Sequence, residues 1–116
     1  MWCGPNAVAY LSGWTRDEVW LHIRAIREKQ KRRLTAKPVG GTYLHELRHT
    51  LERAGFTVEP VFHGRRMQYR AMVREYGDGL WLLRQNGHIF ARKPGDPILP
   101  TSVITDAYRV HRDDGR

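Results

Sequence analysis

The sequence contains a single cysteine, Cys3, so no disulfide can form within one chain, and a reducing, cytoplasmic setting is expected. It also lacks any run of about eighteen apolar residues, which excludes a helical membrane span. No basic stretch followed by an apolar one opens the chain, and no signal peptide is expected. Internal repeats and low-complexity tracts are absent as well. At 116 residues the chain is read as one domain, residues 1–116, large enough for one modest core and too short for two. Such economy suits a bacterial or phage protein.

What is present is a packable composition with a strong charge bias. Hydrophobic residues make up 41% of the chain and four are Trp, which favours a globule over a disordered segment. The Trp residues (Trp2, Trp14, Trp20 and Trp81) read as core or rim residues rather than base-stacking platforms. The formal charge is +8. Arg24, Arg27, Lys29, Lys31, Arg32, Arg33 and Lys37 form one basic block, and Arg65, Arg66, Arg70 and Arg74 another. Either block is a solvated face or a surface for an acidic partner or nucleic acid; no membrane partner is expected.

Periodicity orders the elements. Pro5 suits a helix first turn, and Asn6 to Leu11 continue that helix until Gly13 stops it. Thr15-Arg16-Asp17-Glu18 reads as a capping box opening a second helix, with Val19, Ile23 and Ile26 on one stripe, running to about Arg33. Pro38 to Gly41 form a loop, and Thr42 caps a third helix. Leu44, Leu47, Leu51 and Ala54 give that helix a core stripe, and Gly55 ends it. Beyond Gly55 the pattern turns to strands: Phe56 to Phe62, with Pro60 confining it to an edge or a strand end, then Leu80 to Leu83, His88 to Ala91, Pro97 to Leu99 and Tyr108 to His111. Residues 65–75 read as a short amphipathic helix using Met67, Ala71 and Met72. Helices first and an antiparallel sheet afterwards give an α+β fold.

Cys3 heads the first helix, where unpaired backbone amides and the positive end of the helix dipole favour thiolate over thiol. Cysteine-based acyl transfer further needs an imidazole in reach and donors for the developing oxyanion. The Cys3 amide can supply one donor. His88 follows Gly87 and opens what reads as a central strand, a rigid element from which the ring can project towards the helix start.

The run Cys3-Gly4-Pro5-Asn6-Ala7-Val8-Ala9, then Leu11-Ser12-Gly13, then a helix opening Thr15-Arg16-Asp17-Glu18-Val19, resembles the start of small papain-like cysteine peptidases. It is most similar to the bacteriocin-leader-processing branch and its bacterial and phage relatives. Leu47, Leu51, Ala54 and Gly55 match the later helix of that family, and the stretch from Trp81 to Ala91 matches its Gly-His strand pair. The resemblance spans most of residues 2–100. It implies a papain-like fold and a thiol hydrolase acting on a peptide or isopeptide-like bond, with Cys3 as nucleophile and His88 moving the proton. It implies no cofactor.

Two positions depart from the family. Only Met1 and Trp2 precede Cys3 here, so the glutamine that relatives use as second oxyanion donor is expected to be absent, replaced or lost through truncation. Relatives also place an Asp or Asn on the strand after the histidine strand; here Asp96, in the turn after His88's strand, is the candidate, with Thr101 a weaker one. A member that keeps the fold without the activity stays open.

Two other classes compete. His45-Glu46-Leu47-Arg48-His49 matches His-Glu-x-x-His on a helix, the arrangement that holds zinc in metallopeptidases, with Glu46 as base and His63 the nearest further ligand downstream. Arg48 does not suit it, and the plainer reading has Leu44, Leu47 and Leu51 facing the core while His45, Glu46 and His49 are solvated. The other class is a non-catalytic basic protein that grips nucleic acid or a host factor. Trp2-Cys3-Gly4-Pro5 also invites a thioredoxin reading, but Asn6 stands where the resolving cysteine would be.

Overall fold

A computed structural model describes residues 3–30, 44–97 and 102–113. Among these it has four helices and one four-stranded antiparallel sheet, an α+β architecture. Helix α1 (Cys3–Ser12) ends at Gly13, whose φ of +80° only a residue without Cβ adopts freely. Helix α2 (Arg16–Gln30) opens on the expected capping box: the Glu18 amide donates to Thr15 Oγ1 and the Thr15 amide donates to Glu18 Oε1, each at 3.1 Å. Helix α3 (Leu44–Arg53) follows, and then come β1 (Phe56–Gln68), α4 (Tyr69–Tyr76), β2 (Leu80–Gln85), β3 (His88–Arg92) and β4 (Val103–Arg112). The loop expected at residues 38–41, the Thr42 cap, the end of the second helix near Arg33 and most of the strand expected at 97–99 lie outside the described residues; Pro97 itself is not in a strand.

Strand order is β1-β4-β2-β3, so the last strand in sequence inserts between β1 and β2. Alternation along the strands divides the core in two. On one face Val58, Leu82, Ala91, Tyr108 and Val110 pack with Val8 and Leu11 of α1, Val19 and Ile23 of α2, and Leu47 and Leu51 of α3. On the other, Phe62, Trp81, Leu83, Ile104 and Ala107 pack with Tyr69 and Met72, from α4. Full burial of a side chain such as Leu47 or Leu51 contributes about 1.5–3 kcal/mol before entropy is counted. Arg109 ties α4 to this face. It stacks on Trp81 at 4.0 Å and donates to the carbonyls of Tyr76 and Asp78, and a side chain at Gly79 would collide with its guanidinium.

Several expectations need correction. The helix expected over 65–75 begins only at Tyr69, because β1 continues through Gln68 by bulging away from β4 between His63 and Met67. Gly64, at φ +66°, turns the chain there. The final strand runs over 103–112 rather than 108–111. Leu80–Leu83 and His88–Ala91 are neighbours, as expected, but β3 is an edge strand and not a central one. Pro60 does lie in an edge strand, β1. Glu46, read as solvated, is fully buried and accepts from Arg27 Nε at 2.6 Å and Nη2 at 3.0 Å. A carboxylate facing the core is tolerable only with such a bidentate partner.

Candidate active site

Helix α1 and strand β3 form the two walls of a cleft of about 440 Å³. Cys3, Asn6, Ala7 and Tyr10 supply one wall, the i, i+3, i+4, i+7 stripe of the helix. The other is β3 itself, all five residues from His88 to Arg92, followed by Asp96 and Pro97. Ala7 and Ala91 are small and buried in the same cluster, which lets helix and strand approach closely.

The two walls run the same way. At the starting ends of the two elements are Cys3, partly buried, and His88. At their far ends Tyr10 is bonded to Asp96, its hydroxyl 2.7 Å from Oδ1 and 2.6 Å from Oδ2. Lys93 closes this end: its amide donates to Asp96 Oδ2 at 2.9 Å, and its Nζ stands 4.4 Å from the Tyr10 ring centre. The Tyr10 hydrogen bond, then the Lys93 amide, hold the Asp96 carboxyl below the usual carboxylate range; the same bond to Asp96 pushes Tyr10 up.

Cys3 and His88 line the same cleft, and Asp96 stands beyond the end of β3 that is farther from His88. From His88 to Arg92 a strand advances about 13 Å, and Asp96 lies past that end with its oxygens committed to Tyr10 and Lys93. The orienting role expected of Asp96 towards His88 does not fit this placement. The His88 ring is exposed and stacks on Phe90, with ring centres 6.0 Å apart. No hydrogen bond joins it to Cys3 or to an acid among the described residues. Catalytic contacts in a site without substrate are commonly long and tighten only when substrate is bound. Thr101, the weaker candidate, lies outside the described residues.

A second polar cluster escaped the sequence reading. His63 Nδ1 lies 3.2 Å from Asp106 Oδ1, and the Tyr108 hydroxyl is 3.1 Å from His63 Nε2. Asp106 Oδ1 also accepts the Gly64 amide at 3.1 Å, and Oδ2 accepts Thr105 Oγ1 at 3.1 Å. Burial works to raise the Asp106 carboxyl, but the donors Gly64, Thr105 and His63 outweigh it and hold it low. Burial pushes the Tyr108 hydroxyl up. Only the β1–β4 register, His63 opposite Asp106, brings these groups together, and no local pattern signals it.

The His-Glu-x-x-His helix is arranged for packing. Glu46 faces Arg27, while His45 and His49 are exposed and His49 Nδ1 pairs with Glu52 Oε1 at 3.0 Å. No cluster of three metal-ligating side chains occurs among the described residues. Of the first basic block, Arg27 is committed to Glu46, Arg24 and Lys29 are exposed, and Lys31, Arg32, Arg33 and Lys37 lie outside the described residues. No helix among the described residues is long and apolar enough to cross a membrane. Compared with family models, curated proteins and solved structures, the chain has no match.

Proposed function

We propose that this chain is a thiol hydrolase of the papain-like kind, cleaving a peptide or isopeptide-like bond with Cys3 as nucleophile and His88 as its base. The observation that carries this is one cleft lined by both groups, Cys3 opening a helix and His88 opening a strand. The Cys3 sulfur attacks the acyl carbon while His88 takes the thiol proton. His88 then returns that proton to the leaving amine, and a water activated by the same imidazole releases the acyl group. First-turn amides of α1, which have no partner within the helix, are donors for the oxyanion. A chain with one thiol, kept reduced, suits work in the cytoplasm.

The test is whole-protein mass spectrometry after exposure to a panel of peptidyl vinyl sulfones. One adduct on Cys3, absent in Cys3→Ala and suppressed in His88→Ala, supports the reading. Failure of every probe on a folded protein overturns it. A second reading, a non-catalytic protein gripping an acidic partner or nucleic acid, is favoured by one observation: Arg66, Arg70 and Arg74 are exposed together around α4. Affinity for nucleic acid that falls steeply with salt and ignores Cys3→Ala would support it.

A further inference from the structure

The two edges of the sheet are built differently. The β1 edge carries Pro60 and two irregularities of register, the usual devices that prevent another strand from adding. β3 has neither: it pairs with β2 without a shift from Gln85–His88 to Trp81–Arg92. Because a two-residue turn joins Gln85 to His88, those two exchange both ladder bonds, and pairing alternates from there. The N–H and C=O groups of His88, Phe90 and Arg92 therefore face β2, and those of Ile89 and Ala91 face outward. No strand pairs with that outer side among the described residues. Successive side chains of a strand point to opposite faces, yet all five residues of β3 line the cleft. The cleft thus runs along the strand's outer edge, with the α1 stripe as its far wall.

Charge is distributed unevenly along this edge. At the end away from His88 stand Arg92 and Lys93, two cations against one carboxylate, and Asp96 is already bonded to Tyr10 and the Lys93 amide. The Arg92 guanidinium stacks on Phe90 at 5.3 Å, and its Nε is buried without a hydrogen-bond partner.

We infer that the outer edge of β3 binds an extended acidic polypeptide as an added strand, with the main chain held by Ile89 and Ala91 and a Glu or Asp side chain read by Arg92. Strand addition uses main-chain bonds for affinity and alternate side chains for specificity. His88 and Arg92 are four positions apart, so the acidic side chain lies three or four residues from the carbonyl opposite His88. Only the identity of that carbonyl as the reacting one rests on the proposed chemistry.

The experiment uses Cys3→Ala protein, which separates docking from hydrolysis. Short blocked peptides of Thr, Val and Gly, carrying one Glu, Gln or Lys at each position in turn, are titrated while amide hydrogen exchange is followed by NMR. A bound Glu peptide is expected to slow exchange at Ile89 and Ala91 and leave Phe90, already bonded to β2, unchanged. Arg92→Gln is expected to weaken the Glu peptide about tenfold and leave the Gln peptide unaffected. Ala91→Pro removes an outward donor from an edge position and is expected to abolish binding; circular dichroism reports whether the fold survives. Absence of binding, binding without protection at Ile89 and Ala91, or equal affinity for Glu and Lys peptides overturns the proposal. So does protection of those amides without peptide in a dimeric protein, which would make a second copy the occupant.

Discussion

Two histidines, His63 and His88, stand on strands at opposite edges of the sheet, and their surroundings are reversed. His63 has what a catalytic imidazole normally has behind it: a carboxylate at 3.2 Å that is itself fixed by the Gly64 amide and Thr105, and a tyrosine hydroxyl on its ring. No cysteine accompanies it, the one cysteine of the chain lying in the other cleft. His88 lines a cleft with the cysteine and has no carboxylate partner among the described residues; its ring rests on Phe90. In this fold His63 and Asp106 fasten a bulge, and the proposed nucleophile lines the cleft at the other edge.

The largest effect that tests the contrast is on chemistry. His88→Ala is expected to lower turnover of any peptide substrate by about 10²-fold or more, the usual worth of a general base, and His63→Ala to change it less than about twofold. Steady-state kinetics on the two variants decides it, and equal losses would erase the distinction between the sites. Next in size is stability. Asp106→Ala strips the acceptor from Gly64, Thr105 and His63 and is expected to cost about 1–3 kcal/mol in urea unfolding, with activity per folded molecule unchanged. A drop in activity without a shift in the unfolding midpoint would give the His63 corner a functional role.

A smaller change sharpens the comparison by giving His88 what His63 has. Gln85 is the cross-strand partner of His88, so a carboxylate there reaches the ring. Gln85→Glu is expected to raise turnover severalfold by fixing the imidazole's orientation and stabilising its charged form. Smallest is the tether at the far end of the cleft. The folded Asp96 carboxyl is held below its ordinary value, so its contribution is present above that ordinary value and is lost as pH falls through the folded one. Tyr10 is raised, so its share is complete below the ordinary tyrosine range and is lost as pH rises past it. Wild type is expected to melt above Tyr10→Phe at neutral pH, with the gap closing below about pH 4; a gap that persists in acid would mean packing rather than the hydrogen bond.

Legibility in the sequence followed the range of the interactions. Thr15 and Glu18 bond within three residues, Leu47 and Leu51 share a helical stripe, and Gly87 separates two apolar runs that pair. Each of these was readable because cause and effect lie within one turn or one hairpin. The insertion of β4 beside β1 is a long-range pairing, so neither the edge position of His88 nor the His63–Asp106–Tyr108 cluster had a local signature. Arg65 and Arg66 read as the start of a helix and continue as strand because a bulge absorbs them. Glu46 reads as surface, and its burial depends on Arg27, 19 positions away. Cys3 and His88 read as a pair only through the combined motif, and both line one cleft.

The most direct test is the rate of iodoacetamide alkylation of Cys3 at neutral pH in wild type, His88→Ala and His63→Ala. Slowing by about tenfold or more in His88→Ala alone, with His63→Ala at the wild-type rate, is the result expected of a nucleophile activated by its neighbouring base. The same rate in all three proteins would contradict a working Cys3–His88 pair and leave the cleft as a binding site only.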